Sequence, residues 1–425
     1  MIYRHLVCVL SCALFTPFTL ANDSLSPWSF SGFGTLGYSY ENQDNIAFIR
    51  DFSKPLDIDQ SGSWLTDSQL GAQISYRSSP YWDMTAQVVA TDYIEYEPID
   101  SLEWAYLALH PTQSLDVRLG RMGIDIFSLS DTRRVDYAHI WVRPPAETYG
   151  WIPLYSVDGI DATYHFETDN TFWRLKAQYG SSQSKSMMME GSSIYHFEGD
   201  DLFALSLTAE HGDWTLRSSA ARVTIGTPLP NEAQLVKDTL DYIASLGPSM
   251  VPTNVSQQAN DLSNQIDILG KSINYFQLSA TFDNYDWLVA GELAYSHSQA
   301  RIMPNGLGGY ITVAKRFNEF TPFAGYSLFK ANDPAYQADE QWENIHPDLA
   351  RLGAASAEII NAGRIEQQSS SIGVRWDFYR QAALTLQWDH FIISENGSGM
   401  WAGVGKGRDK ENTVDLFSAS IAFVF

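Results

Sequence analysis

The chain has 425 residues, with 27 Lys and Arg against 50 Asp and Glu, a formal net charge of -23 and 13% aromatic residues. So acidic a chain excludes a nucleic-acid binder that works through a basic surface. Beyond the first residues, no window approaches the roughly 20 consecutive apolar residues of a membrane-spanning helix, which leaves a soluble periplasmic protein or a closed β-barrel.

The N-terminus has the pattern of an export signal. A basic start, an apolar stretch over Leu6–Leu20 and a small residue at Ala21 predict a signal peptide over 1–21 and a mature chain over 22–425. Both cysteines lie inside the signal, so the mature chain is expected to carry neither thiol nor disulfide. A lipoprotein signal that ends at Cys12 is the alternative.

The mature sequence repeats short segments in which apolar and polar residues alternate. The period of two indicates strands with one apolar face. About sixteen such strands are predicted, and fourteen or eighteen remain open because the segments 309–317 and 320–329 have no cleanly apolar phase. In chain order the predicted strands are 28–40, 69–77, 82–88, 102–109, 115–121, 157–166, 172–179, 202–209, 214–223, 273–282, 287–295, 309–317, 320–329, 370–378, 382–393 and 413–425.

The C-terminal segment has the clearest alternation. Its apolar residues share one phase and end on an aromatic carboxy-terminal residue; they are Phe417, Ala419, Ile421, Phe423 and Phe425. A membrane β-barrel needs this pattern because one strand face meets hydrocarbon and the other meets the lumen. An edge strand of a soluble sandwich is the alternative.

Connections between the predicted strands alternate between short turns and long loops. Bacterial outer-membrane barrels have short periplasmic turns and long outer loops, whereas a soluble sandwich is not expected to alternate so regularly. The predicted fold class is therefore all-β, a transmembrane antiparallel barrel of about 16 strands.

Two long outer loops contain helix-like periodicity, over 231–246 and 347–360. Either helix could fold over the barrel mouth or pack on neighbouring loops without a gating role. In the first long loop, Asp57 and Asp59 precede Gly62 with the spacing of a calcium-binding loop, but Ser68 stands where the bidentate Glu is expected. A weak calcium site and a plain acidic loop are the two interpretations.

With its terminal Phe425, alternating connections and long third loop, the mature chain resembles the sixteen-stranded trimeric porins of Gram-negative outer membranes. The stretches Leu119–Gly123 and Trp141–Pro145 look like porin-type proteins of marine bacteria, without identifying a subtype. The resemblance implies a water-filled outer-membrane channel for passive diffusion of small hydrophilic solutes and ions. It also implies a homotrimer set in lipid and lipopolysaccharide, with no cofactor, no nucleic-acid partner and no enzymatic activity.

The resemblance further implies that the third loop, 122–156, folds into the lumen and narrows it. Loop charges expected there are Asp125, Asp131, Arg133, Arg134, Asp136, Arg143 and Glu147. Basic wall residues expected to face the pore, because a charge on the lipid side costs roughly 2–4 kcal/mol at mid-membrane, are Arg77, Arg118, Arg121, Arg174, Lys176, Arg217 and Arg375.

Three of the loop charges lead to a prediction about selectivity. Arg133, Arg134 and Arg143 beside the passing ion predict a modest anion preference despite the acidic chain. The competing interpretation is that Arg133 and Arg134 are solvated loop charges or partners of nearby loop acids.

Two other functions compete with a passive channel. A barrel hydrolase would need a histidine near a Ser or Asp, and the pair His165 and Asp161 on one predicted strand is the nearest approach to that arrangement. It is better explained as a pore-lining contact. A receptor or adhesin that binds a partner through the long loops is the second competitor. Single-channel conductance separates these classes, because an adhesin or an enzyme need not conduct.

Overall fold

The computed structural model describes residues 26–43, 46–55, 62–186, 194–395, 397, 400–403 and 411–425. The predicted signal peptide, 1–21, and the candidate calcium ligands Asp57 and Asp59 lie outside the described residues.

Within the described residues, sixteen antiparallel strands close into a barrel, in which each strand pairs with its neighbours in the chain and the first pairs with the last. The barrel strands are β1 (Trp28–Glu41), β3 (Gln69–Ser79), β4 (Trp82–Thr91), β5 (Leu102–Thr112), β6 (Leu115–Gly123), β7 (Ser156–Thr168), β8 (Thr171–Ser186), β9 (Tyr195–His211), β10 (Trp214–Ile225), β11 (Ser272–Asp283), β12 (Trp287–Ser298), β13 (Gly306–Lys315), β14 (Phe320–Ala331), β15 (Gln367–Tyr379), β16 (Ala382–Ile393) and β18 (Asn412–Val424). All sixteen predicted strands are confirmed, including the two with no cleanly apolar phase.

The alternation of the sequence becomes the two faces of the wall. Outward side chains are large and apolar, as at Leu119, which is 59% exposed. Inward side chains are polar and covered, as at Thr35 and Ser418. A strand that separates hydrocarbon from a lumen requires this arrangement.

The seam between β1 and β18 closes on the last residue of the chain. The backbones of Gly32 and Phe425 exchange hydrogen bonds of 2.9 and 3.0 Å. The phenyl ring of Phe425 covers Gly32, where a Cβ would lie 2.2 Å from the ring. A side chain at this position would displace the ring, so glycine leaves the space in which the terminal aromatic residue packs on the wall.

The structure also has elements that the sequence did not predict. Strands β8 and β9 continue beyond their predicted ends, and β2 (Ala47–Phe48) pairs with β17 (Trp401–Ala402) as a separate two-stranded sheet. The helices are α1 (Ala146–Tyr149), α2 (Asn231–Ser245), α3 (Thr253–Ile266), α4 (Glu340–Ile345) and α5 (Pro347–Ala362). Of these, α2 and α5 confirm the two predicted loop helices. Among the described residues, no helix is both long and apolar enough to cross a membrane.

Much of the hydrophobic core lies inside the barrel. Residues 46–55, 124–155 and 400–403, which together we call the plug, bury their apolar side chains against the inward face of the wall. Phe48 of β2 packs between Phe391 of β16 and Trp401 of β17, with ring centroids 5.7 and 5.4 Å away. Nearby, Trp151 contacts Phe329 of β14, with ring centroids 5.4 Å apart.

Helices α2, α3 and α5 contact one another, and α4 contacts α5, so the two helical loops form one cap. Trp342 of α4 is buried, and its indole nitrogen donates to Gln258 of α3 at 2.7 Å. Gln258 in turn donates to Asp339 at 2.6 Å. The two loop helices predicted from the sequence thus pack on neighbouring loop helices.

Candidate functional site

A cavity of about 520 Å³ lies along the inward face of β1 and β3–β8, beside the plug. Its charged lining consists of Arg77, Asp83, Asp116, Arg118, Asp125, Asp131, Arg174 and Lys176. Two cavities against the plug are far smaller, about 20 Å³ each. A cavity needs roughly 10–15 Å³ to hold one water molecule, so these two admit little more than water. Of these three cavities, the large one has room for a small solute.

The cavity wall toward the short turns carries a chain of ion pairs. Arg77 donates to Asp83 at 2.6 Å, and Asp83 lies 2.9 Å from Nε2 of His110. Nδ1 of His110 lies 2.5 Å from Asp116, whose second oxygen is 3.1 Å from Nε2 of His165. Both carboxylates are thus engaged by two bases each.

Arg118 faces the cavity from the middle of β6. Its Nε and Nη2 donate to both carboxylate oxygens of Asp161, at 2.5–3.1 Å, and its guanidinium lies 5.0 Å from the ring of Tyr106. Because Arg118 binds Asp161, that carboxylate is not the partner of His165. The pair His165 and Asp161 considered as a hydrolase motif does not form.

Arg121 does not line the pore, which corrects the prediction from the sequence. It shares the outward phase of Leu119 and pairs with Asp158 of β7 through hydrogen bonds of 2.7 and 2.8 Å. Both lie in a shallow groove on the outer wall with Leu102 and Ala105. The alternation itself predicts this orientation, since residues 119 and 121 of one strand point to the same side.

Asp125 fixes the start of the third loop to the wall. Its carboxylate lies 3.0 Å from Arg217 of β10 and accepts from Ser206 of β9 at 2.5 Å. Lys176 of β8 is 3.7 Å away. Burial opposes ionisation of Asp125, but attraction from Lys176 and Arg217 outweighs it and keeps the pKa below its usual range.

Arg133 and Arg134 are buried, so neither the pore-facing nor the solvated interpretation of them is correct. The Arg133 guanidinium donates to the backbone carbonyls of Tyr149, Ile152 and Leu154, and thereby ties the two arms of the third loop together. Arg134 lies 3.7 Å from Glu103 of β5. Their positive charge is enclosed within the plug.

Arg143 is also buried rather than pore-facing, and it belongs to an ion-pair network. It donates to Asp67 at 2.8 and 2.5 Å, to Ser418 of β18 at 2.7 Å, and lies 3.6 Å from Asp389 of β16. Burial opposes ionisation of Asp67, but the attraction of Arg143 prevails and lowers its pKa. Arg143 thus holds the third loop against both strands of this pair, β16 and β18.

Arg50 joins the first loop to this network. It lies 3.1 Å from Asp67 and 2.8 Å from Asp136, and Asp136 also accepts from Gln69 of β3 at 2.7 Å. Arg50 and Asp67 were absent from the sequence-based candidates because their partners are distant in the chain. Asp136 is accordingly a structural residue of the plug rather than part of the pore lining.

Two further predicted residues hold the third loop to β15. Glu147 accepts from Gln367 at 2.8 Å, and burial raises its pKa. Arg375 donates to the carbonyls of Tyr137 and His139. Of the loop acids proposed for the pore, Asp131 is the exposed one, at 60% of its side chain.

The structure therefore brings six predicted residues together at one cavity: Arg77, Arg118, Asp125, Asp131, Arg174 and Lys176. It places the other predicted residues that it describes in the plug, at its contacts with the wall or on the outer face. Sequence reasoning missed Asp83, His110 and Asp116 as lining. Each lies near a strand end in the inward phase, so the alternation carried a signal for them. Within the described residues, no group of three or more His, Cys, Asp or Glu side chains is placed to hold a metal ion.

No protein-family model and no curated protein matches the chain. Among solved structures, the chain is similar to OmpF of Salmonella typhi in complex with daunomycin, at 10% identity and a TM-score of 0.52, with 94% of this chain and 97% of that chain covered. It is similar to the anion-selective porin from Comamonas acidovorans at 9% identity and a TM-score of 0.52, with 94% and 99% covered. At these identities the similarity shows the fold, a transmembrane β-barrel of the porin type.

Proposed function

We propose that this chain is an outer-membrane porin through which small hydrophilic solutes and ions diffuse passively. The observation that carries the proposal is the charged cavity along β1 and β3–β8, set inside a closed barrel whose outer wall is mostly apolar. A charged surface inside an apolar cylinder serves a polar solute and has no evident purpose in a solid structural barrel. Because the plug occupies part of the lumen beside the cavity, we expect a narrow channel of small conductance.

The test is single-channel recording of the purified protein in a planar bilayer, with two matched tryptophan variants. Ala108 of β5 lines the cavity, and Ala280 of β11 shares the outward phase of the exposed Leu278. Ala108→Trp should reduce the unit conductance, whereas Ala280→Trp should leave it unchanged. Stepwise currents that respond equally to both variants would place the conducting path elsewhere, and an absence of steps in the wild type would reject the channel.

A barrel hydrolase is less well supported. His110 and His165 are hydrogen-bonded to Asp83 and Asp116, and among the described residues no hydrogen bond joins either histidine to a serine or threonine hydroxyl. Nucleophilic catalysis needs such a hydroxyl or thiol within reach of the base. The one described pair of this kind, the hydroxyl of Thr171 and Nδ1 of His211 at 3.0 Å, is exposed at a short turn, away from the residues that line the cavity. We therefore propose a function without catalysis at this cavity.

A receptor or adhesin would use the helical cap formed by α2–α5. The cap is compatible with such a role, but a receptor does not require the charged cavity. A barrel that binds a partner without conducting ions would support this alternative.

The outer wall supports assembly into a homotrimer surrounded by outer-membrane lipid and lipopolysaccharide. Toward the long-loop ends, outward aromatic residues recur around the barrel at Tyr40, Tyr179, Phe203, Phe276, Tyr295, Tyr326, Trp388 and Phe417. Across β3–β7 the corresponding described residues are aliphatic: Leu70, Val88, Ala105, Leu119 and Ile160. Aromatic girdles mark walls that face lipid, so the aliphatic stretch suits contact with another copy.

The oligomeric state is tested by the mass of the unheated protein in detergent. Leu70→Arg, on the aliphatic stretch, should yield a closed monomer, whereas Leu293→Arg on β12, also outward and exposed, should leave the assembly intact. A monomeric wild type would contradict the trimer.

A further inference from the structure

Two neighbouring cations of β8, Arg174 and Lys176, line the charged cavity. Lys176 is only 7% exposed, and its ammonium lies 3.7 Å from both Asp125 and Asp161, beyond hydrogen-bond reach. Arg174 has its nearest carboxylate, Asp131, at 3.8 Å. Among the described residues, neither side chain forms a hydrogen bond. A buried ammonium and a guanidinium together present several N–H donors to the cavity.

The acids of the same cavity are, in contrast, already engaged. Asp161 receives Nε and Nη2 of Arg118, Asp116 is shared by two histidines, and Asp125 is bound by Arg217 and Ser206. Carboxylate oxygens held in this way are poor acceptors for a further cation. The cavity therefore has spare donors on its basic side and few spare acceptors on its acidic side.

The spacing of the two cations suits one small ligand. Residues two apart on a strand point to the same face and are separated by roughly 6–7 Å, so one oxyanion between Arg174 and Lys176 can accept from both. Guanidinium groups bind carboxylate and phosphate through paired hydrogen bonds. Asp131 is mostly exposed on its loop, so it can move away from Arg174 when another anion arrives.

We propose that Arg174 and Lys176 form a binding site for a small oxyanion, the carboxylate or phosphate group of a passing solute. The inference rests on the proposed channel function and specifies the solutes that the channel retains. Asp131 is the resident counter-ion, which the entering group displaces. Chloride, which offers no oxygen pair to the guanidinium, passes without being held.

Binding is measured by calorimetry on the folded protein in detergent, at constant ionic strength, with inorganic phosphate and with succinate as separate probes. Arg174→Gln/Lys176→Gln should weaken binding about tenfold or more, because charge-assisted hydrogen bonds are lost. The control is Arg222→Gln/Lys330→Gln, which removes two exposed cations outside the lumen and should leave binding unchanged. Equal weakening by both pairs would mean a diffuse electrostatic effect and would overturn the site.

Asp131→Asn supplies a test of opposite sign that does not depend on removing a buried cation. This variant should strengthen oxyanion binding about threefold, because the entering group no longer competes with the Asp131 carboxylate for Arg174. The effect is small because an exposed ion pair contributes little free energy. Asp286→Asn, at a short turn, removes one acid elsewhere and should have no effect. Unchanged affinity in Asp131→Asn would overturn the role of Asp131 as counter-ion.

The two probes identify the source of the oxyanion. Binding of succinate alone assigns a carboxylate site, binding of phosphate alone assigns a phosphate site, and binding of neither rejects the proposal. Bilayer recording in potassium chloride separates this result from the channel function. If the protein conducts in potassium chloride but binds neither probe, the site is refuted and the channel is retained. If it binds a probe but does not conduct, the site is retained and the channel is refuted.

Discussion

Replacing Arg143 by methionine should loosen the plug, because Arg143 is buried at a point where loop and wall meet. Asp67 is fully buried and Arg143 is 4% exposed. Removing one partner of a buried ion pair leaves an uncompensated charge and typically costs about 3–5 kcal/mol. Arg50 remains 3.1 Å from Asp67, so the lower end, about 3 kcal/mol, is the expected loss.

Arg143→Met should change both the thermal stability and the single-channel conductance. The hydrogen bond from Arg143 to Ser418 is lost with the ion pair, so the third loop separates from β18. Unheated Arg143→Met protein should convert to the unfolded gel band at a lower temperature than wild type, and its single-channel conductance should rise.

A double variant separates the uncompensated charge from the loss of packing. Asp67→Asn/Arg143→Met removes both charges and should recover much of the thermal stability, because the Asp67 carboxylate, left with Arg50 as its ion-pair partner, causes most of the cost. If Arg143→Met alters ion selectivity while leaving stability unchanged, Arg143 lies on the ion path and its assignment to the plug is wrong.

Two other predictions follow from the seam and from the first loop. Gly32→Val should prevent Phe425 from packing on β1 and reduce the heat-resistant folded band, whereas Gly247→Ala, where a Cβ meets nothing, should not; equal yields would contradict the steric argument. Burial lowers the pKa of Lys54 to about 8 despite the attraction of Asp51. Between about pH 8 and the usual lysine value near 10.4, the unfolded chain therefore holds a proton that the folded chain has released, and stability should rise with pH. Thermal denaturation of Lys54→Met should lack this part of the rise, and identical pH profiles would refute it.

The fold could be predicted because the barrel wall imposes a local rule. Each outward residue must be apolar and each inward residue is free to be polar, so period two in the sequence is sufficient to locate a strand. Even the segments without a clean apolar phase were correctly placed, since the regular alternation of turns and loops supplied the missing information.

The plug could not be predicted, because no periodicity describes it. Arg143 lies 275 residues from Ser418 in the chain, and Arg133 binds carbonyls rather than any acid that its neighbours would suggest. From the sequence alone, a charged residue in a loop is expected to be exposed to solvent. The structure shows that these loop arginines are buried. The error at Arg121 was different, because the strand pattern already placed it on the outer face.

The pairing of β2 with β17 links the closure of the lumen to the order in which the chain folds. Ala47 and Ala402 pair across nearly the whole length of the sequence, and each belongs to a loop that adjoins the β1–β18 seam. Segments so far apart meet only late in folding. A barrel that is not fully closed therefore lacks this part of the plug and should pass more ions than the finished protein. A raised conductance should then reveal incomplete assembly before circular dichroism shows any loss of strand content.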